Sequence, residues 1–317
     1  MGFMKKKILL VAGFCLAVFL ITNLLAKKPD SFQGQANKPS AKVAAKRADE
    51  EKRLVEEYRK KYSLDESSCS YDDFMIQAAS GIVIDAETGK VLYEKEAHAK
   101  LSPASITKVL TGAVALENLD LDKKIEVSER ASSMEPYNMS SQKGEKLRVE
   151  DLLYALMMIS ANDAAEILAE GIDGKRETFI DKMSEKTRLL ELKETDFKNP
   201  SGLDEPGHAS SAYDIGKITY YTLKAHPDIL KYMGDKNPHN IAPSEENQAH
   251  YWDGHVSLTM RTYPEMRGAK TGFTDTARNT FIGIAEKNRK KFIFVFMGSD
   301  RGNEDAKALL NFGLSKM

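Results

Sequence analysis

Three short stretches hold the side chains that could do chemistry together. The first is Ser105-Ile106-Thr107-Lys108, in the run LSPASITKVLTGAVALENL. It reads as a serine nucleophile opening an apolar helix, with a lysine base one turn later. Helix positions i and i+3 share a face, with Cβ atoms about 5–6 Å apart. Lys108 can therefore reach the Ser105 hydroxyl without tertiary help. Pro103 and Ala104 precede the serine, which suits a helix N-terminus. Backbone N–H groups are free there and can face an oxyanion. For Lys108 to act as a base, its pKa must fall from about 10.4 through burial or a neighbouring cation. Lys270 is the candidate cation, or alternatively the group that binds an anionic substrate.

The other two stretches are the S-x-N of Ser160-Ala161-Asn162 and the K-T-G of Lys270-Thr271-Gly272. Ser160 could relay a proton and Asn162 could hold a substrate amide. Glycine in a strand lets another backbone come close. A peptide could lie along that edge as an added strand, its terminal carboxylate meeting Lys270 and Thr271. Each stretch has a plainer reading. Ser105 could be an ordinary N-cap. Ser160 and Asn162 could satisfy a helix end. K-T-G could be a charged strand end. The S-x-x-K spacing is weak alone, since Ser140-Ser141-Gln142-Lys143 also fits it, in a polar loop.

The surrounding chain supplies elements to position these groups. Ala79–Asp85 and Val91–Lys95 read as a hairpin. Gly268–Gly272, Thr280–Glu286 and Lys291–Met297 are three further strand candidates, with Asn288-Arg289-Lys290 as a tight link. Between them lie apolar or amphipathic helical runs: the Ser105 helix, Asp151–Ala169, Glu177–Leu190 and Ala212–Leu223. A last helix is expected over 303–314. Residues 122–149 look irregular, with β-prone Lys124–Val127. Asn199–Leu203 (NPSGL) is a strong turn signal. Strands from both ends with helices between them predict an α+β fold. Its core would be one antiparallel five-stranded sheet with helices on both faces.

The N-terminal part is different. Residues 8–26 carry no charge and follow Lys5–Lys7. That is long enough for a membrane-spanning helix, and the lysines favour a cytoplasmic N-terminus. Residues 1–28 are therefore expected to be an uncleaved membrane anchor or, alternatively, a cleaved signal that leaves the protein secreted. Both place the rest outside the cytoplasm. Residues 29–75 read as a charged linker or stalk. Within it, 42–62 is rich in helix formers, and Leu54, Tyr58 and Tyr62 make one thin apolar stripe, read as a solvated tether. The catalytic domain is expected over 76–317.

Composition excludes several classes. Net charge is −1 over 317 residues, so nothing points to nucleic acid as a partner. The two cysteines, Cys15 and Cys69, are poorly placed to pair. Neither C-x-x-C nor H-E-x-x-H occurs, so no metal and no cofactor is expected.

In the order S-x-x-K, S-x-N, K-T-G, the chain resembles the active-site serine penicillin-binding proteins and β-lactamases. LSPASITKVLTG, DLLYALMMISANDAAEILAE, NPSGL with His208 following, and GAKTGFT resemble the low-mass D-alanyl-D-alanine carboxypeptidases, over about 76–317. The resemblance implies Ser105 as acyl-ester nucleophile, Lys108 as its base and Ser160 as proton relay. It implies Asn162 orienting the substrate amide, Lys270 and Thr271 holding the terminal carboxylate beside Gly272, and the N–H groups of Ser105 and Phe273 as oxyanion hole. The implied partners are peptidoglycan stem peptides ending in D-Ala-D-Ala, with β-lactam antibiotics as inhibitors and the membrane held through the N-terminal segment. Many such relatives continue into a β-rich domain and a membrane-binding C-terminal helix. Here the chain stops at Met317, so the N-terminal segment is the expected anchor. Where relatives show Ala-Gly after the third motif, this chain has Ala277-Arg278. A D,D-endopeptidase with the same residues is the closest alternative. A β-lactamase is disfavoured, because no glutamate between 163 and 269 has asparagine four positions later. Intact motifs argue against a non-catalytic wall-binding module.

Overall fold

The computed structural model describes residues 41–67, 76–235, 237–253 and 262–317. The expected membrane segment and both cysteines lie outside the described residues. No helix among the described residues is long and apolar enough to cross a membrane. The chain divides at Asp49/Glu50, and the larger unit is residues 50–317.

The larger unit is built on a five-stranded antiparallel sheet. Its strands are β1 (Ser80–Asp85), β2 (Val91–Lys95), β7 (Met266–Thr274), β8 (Arg278–Lys287) and β9 (Lys290–Ser299), in the order β2-β1-β9-β8-β7. The first two and last three strands thus come from opposite ends of the unit and meet at β1–β9. The β8–β9 turn is the pair Asn288-Arg289, both at positive φ (53° and 66°), the backbone that a two-residue hairpin needs.

Alternation along the strands explains the layers. Ile82, Ile84, Ile293 and Val295 face the larger helical core. Val83, Phe292, Phe294 and Phe296 face the other way. There they meet Leu309 and Leu310 of the C-terminal helix, Gly302–Ser315. Both faces are apolar because both are covered.

The helical side carries α1 (Ala41–Tyr62), α2 (Lys108–Asn118), α3 (Glu129–Ser132), α4 (Val149–Met158), α5 (Asn162–Glu170), α6 (Arg176–Leu189), α7 (Ala212–Ala225) and α8 (Ile229–Gly234). Two small hairpins complete it: β3 (Lys124–Glu126) with β4 (Lys146–Arg148), and β5 (His239–Ile241) with β6 (His250–Trp252). The C-terminal helix is α9.

Two expectations are corrected. The run 151–169 is not one helix. Ser160 sits at φ 61°, a left-handed conformation that ends α4 and lets α5 start afresh at Asn162. The stripe on α1 is not solvated either. Tyr58 and Tyr62 are buried in the main core, with Leu54 packed against it. Their rings meet Tyr221 at 5.9 and 4.8 Å. Tyr58 Oη also accepts a hydrogen bond from the buried Lys186 Nζ at 3.1 Å, and Arg59 pairs with Glu191. Three apolar residues cannot hold a coiled coil, but they suffice to dock a helix on a ready-made aromatic surface. The C-terminal half of α1 accordingly belongs to the compact unit that begins at Glu50.

Docking of α1 predicts a measurable stability term. Tyr58→Ala should cost about 3 kcal/mol, as for a large aromatic truncation. Tyr58→Phe, which loses only the hydroxyl, should cost about 1 kcal/mol. Urea unfolding of the full chain reads both. Equal, negligible losses would mean that α1 contributes nothing to the fold.

Candidate active site

Ser105 lies in a single 3-10 turn, Ala104–Thr107, that runs straight into α2. The α-helix itself starts at Lys108, so Ser105 lies in the turn that leads into it rather than in its first turn. Ala104 enters the turn at φ 50°. Lys108, the first residue of α2, is wholly buried. Its Nζ lies 2.9 Å from Ser105 Oγ, 2.7 Å from Asn162 Oδ1 and 2.5 Å from the Ser201 carbonyl oxygen.

That set decides what Lys108 can do. Burial, then the charge of Lys270, holds the Lys108 ammonium well below its usual range, with Asp163 opposing. A neutral amine has two N–H groups and one lone pair. The amide and carbonyl oxygens can only accept, so they take the two N–H groups. The lone pair is left for the Ser105 hydroxyl proton, the geometry of a general base.

The break between α4 and α5 presents the second group. Ser160 Oγ accepts a hydrogen bond from Lys270 Nζ at 2.8 Å. Lys270 also donates to the Thr271 carbonyl at 2.8 Å, and burial pushes its pKa down to about 7. Asn162 opens α5 with its side chain already engaged: Oδ1 on Lys108, and Nδ2 donating to the Pro136 carbonyl. One N–H of Nδ2 is left over. So Asn162 first orients the base, a role the sequence reading did not assign.

The third wall is the edge strand β7. Gly272 is needed there, since a Cβ on it would fall 2.8 Å from Ser105 N and 2.4 Å from Thr280 Oγ1. Thr280 Oγ1 in turn donates to the Pro103 carbonyl at 2.9 Å, fixing β8 to the turn. Thr271 is exposed and Phe273 is 48% exposed. Contacts thus link Ser105 with Lys108, Asn162 and Gly272, and Ser160 with Lys270, with Lys108 and Lys270 as two buried amines. Glu66, Glu94 and His98, whose ligand atoms lie within 4.8 Å of one another, contain none of them.

Several working residues were not singled out from sequence. NPSGL was read as a turn and as part of the family resemblance but given no role, yet Ser201 supplies the carbonyl that holds Lys108. Asn199 braces that turn by accepting from Gly202 N at 2.7 Å and donating to the Leu203 carbonyl at 3.0 Å. Gly202 has φ 85°, and a Cβ there would strike the Ala104 carbonyl oxygen at 2.0 Å. His208 accepts from Lys198 N on Nδ1, so its Nε2–H faces Thr107 Oγ1 at 3.1 Å. Burial pushes its pKa down to about 4, which makes it a neutral brace. The second S-x-x-K match separates: Ser141 donates to Asp163, and Lys143 pairs with Glu129. Arg278 sits at φ 56° where glycine would be unstrained, and its guanidinium turns to Asp300 at 2.7 Å.

A family model described as D-alanyl-D-alanine carboxypeptidase matches residues 66–301. The Bacillus subtilis D-alanyl-D-alanine carboxypeptidase DacF is 35% identical over 248 residues, covering 76% of this chain and 63% of the relative. This chain therefore spans less than two thirds of that relative. A Mycobacterium tuberculosis D-alanyl-D-alanine carboxypeptidase is 31% identical over 222 residues, 69% of this chain and 74% of the relative. Among solved structures, a D-alanyl-D-alanine carboxypeptidase from Mycobacterium tuberculosis superposes with TM-score 0.70 at 27% identity, covering 80% of this chain and 96% of that one. A Streptomyces K15 DD-transpeptidase variant gives TM-score 0.70 at 26% identity, over 76% and 99%.

The pairing of two buried lysines makes a prediction about titration. Lys270→Met removes the cation that, after burial, lowers the Lys108 pKa. The Lys108 titration, followed by its 13Cε shift, should move to higher pH in the variant. A midpoint that stays or falls would assign the depression to burial alone.

Proposed function

This chain belongs to the D-alanyl-D-alanine carboxypeptidase family, and from that premise we propose that it removes the terminal D-alanine from peptidoglycan stem peptides through a Ser105 acyl-enzyme. One observation carries the reading: a wholly buried Lys108 amine 2.9 Å from Ser105 Oγ, with both its N–H groups already used.

In the proposed mechanism the substrate lies along the free edge of β7. Its terminal carboxylate meets Lys270 and Thr271. The spare N–H of Asn162 Nδ2 faces a substrate carbonyl. Ser105 Oγ attacks the carbonyl carbon of the penultimate D-alanine while its proton passes to Lys108 Nζ. The resulting oxyanion sits between the N–H groups of Ser105 and Phe273. As the C–N bond breaks, Ser160 Oγ passes a proton to the leaving amine and is resupplied with the one that Lys108 took from Ser105, so Lys108 is again neutral. Water then attacks the ester. Lys108 takes a proton of that water and hands it to Ser105 Oγ as the ester C–O bond breaks. A β-lactam acylates the same serine, and its amine stays tethered after ring opening.

Benzylpenicillin added to the detergent-solubilised full chain should give a stable mass adduct that Ser105→Ala lacks. The same protein should release D-alanine from a peptide ending in D-Ala-D-Ala. An adduct that clears rapidly would point to a β-lactamase. Folded protein with no adduct and no D-alanine release would remove the reading.

We also infer a membrane location, supported by the uncharged run 8–26 behind Lys5–Lys7. It would be a single-pass anchor with the catalytic unit outside the cytoplasm. Deleting residues 1–28 should move the protein from the membrane fraction to the soluble one, measured by fractionation. A deleted form still held in membranes would sink the anchor.

A further inference from the structure

Asp204 follows the NPSGL turn and is exposed, yet its Oδ1 accepts two hydrogen bonds from different walls of the cleft. Ser102 Oγ donates at 3.0 Å and Thr274 Oγ1 at 2.9 Å. Ser102 stands three residues before Ser105, and Thr274 one residue after Phe273. The carboxylate thus joins the two segments whose backbone N–H groups form the proposed oxyanion hole. We propose that Asp204 is a positioning residue that sets the separation of those two N–H donors. This rests on the reading of the site given above.

The rest of the contact between these segments lies elsewhere. Thr280 Oγ1 holds the Pro103 carbonyl, and the bare Cα of Gly272 packs against Ser105 N. Past Gly272 the strand approaches its end. β7 is an edge strand with β8 as its sheet neighbour on one side, so Thr274 is fixed by that ladder, by the turn and by Asp204. The same Thr274 hydroxyl oxygen accepts from Ala277 N at 3.0 Å, which couples the turn into β8 to the carboxylate. The loop under Asp204 is itself held: Asn199 Nδ2 donates to the Leu203 carbonyl, and Lys108 donates to that of Ser201. Asp204 therefore closes a ring of contacts that runs from the base through the NPSGL loop to both oxyanion donors.

The chemical consequence falls on the transition state. An oxyanion exists only after attack, so displaced donors slow the chemical step while leaving substrate binding nearly unchanged. The hydroxyls need an acceptor and not a charge. An asparagine Oδ1 can serve in place of the carboxylate, and alanine cannot.

The test compares Asp204→Ala, Asp204→Asn and the double change Ser102→Ala with Asp204→Ala in the full chain. With a D-Ala-D-Ala peptide, Asp204→Ala should lower kcat about 10-fold with KM changed less than about 2-fold, as for a small misplacement of catalytic donors. Asp204→Asn should stay within about 3-fold of the parent. Adding Ser102→Ala to Asp204→Ala should cost under about 2-fold more, because the two share one interaction. Thermal melting and penicillin titration check that each variant is folded with an open site. Parent-like kcat in folded Asp204→Ala, or Asp204→Asn as damaged as alanine, would overturn the proposal. If the parent releases no D-alanine, the functional reading fails. The penicillin acylation rate then reads the same two donors, with the same expectations.

Discussion

The structure depends on keeping one amine buried without a carboxylate. A lone ammonium in a protein interior costs several kcal/mol, so the group sheds its proton instead. Lys108 is placed to do that. Its three contacts come from three elements: the Ser105 turn, the start of α5 and the NPSGL loop. Each contact is an oxygen without formal charge. Asp163, the anion that opposes the depression, has its oxygens occupied by the N–H groups of Met139, Ser141 and Ala164 and by the Ser141 hydroxyl. Its charge anchors the 136–141 loop and forms no ion pair with the base.

Three left-handed residues follow from this arrangement. Ala104, Ser160 and Gly202 all have positive φ, and each stands where the chain must turn sharply to deliver a group into the cleft. For the two that are not glycine, such backbone costs about 1–2 kcal/mol. The apolar bodies of α2, α4 and α5 hold those turns in place, since their core-facing residues are wholly buried. Gly202 must pass the Ala104 carbonyl at a distance no Cβ permits. The strained turn before Ser105 and the glycine beneath it are one packed unit.

Much of this was legible in the sequence, for reasons that differ by residue. Ser105 and Lys108 are local, so helical spacing alone joins them. The five strands were legible because β-prone runs are bounded by turn residues. Ser160 and Asn162 could be found as a motif, but the helix break between α4 and α5 could not. The runs on either side, Leu152–Met158 and Ala164–Ala169, are mostly good helix formers, and it is tertiary bonds to Asn162 and Asp163 that hold the break. The Ser201 carbonyl was invisible, because a backbone oxygen has no letter in the sequence. Asp204 was invisible because its two partners lie 102 and 70 residues away. The docking of α1 was missed for a further reason. A three-residue stripe says how much apolar surface a helix offers, and nothing about the surface of Tyr221 and Lys186 waiting for it.

A second buried lysine shows what separates a base from a brace. Lys186 is nearly as buried as Lys108 and touches two tyrosine hydroxyls. It also lies 3.0 Å from Glu117. For Lys186, burial alone would lower the pKa, but the Glu117 charge and the tyrosine contacts outweigh it and raise it. Glu117 responds in kind. Burial would push its pKa up, yet Lys186, His226 and Tyr221 bring it down to about 2. That pair stays ionised and fixes α2, α6 and α7 around the docked α1. Remove the carboxylate from such a site and place a second cation nearby, and the same side chain becomes a proton acceptor. Lys108 stands in that environment nine residues before Glu117, at the other end of α2. One helix therefore carries a structural ion pair at its C-terminal end and a neutral amine at its start, and the difference is set by which neighbours bear charge.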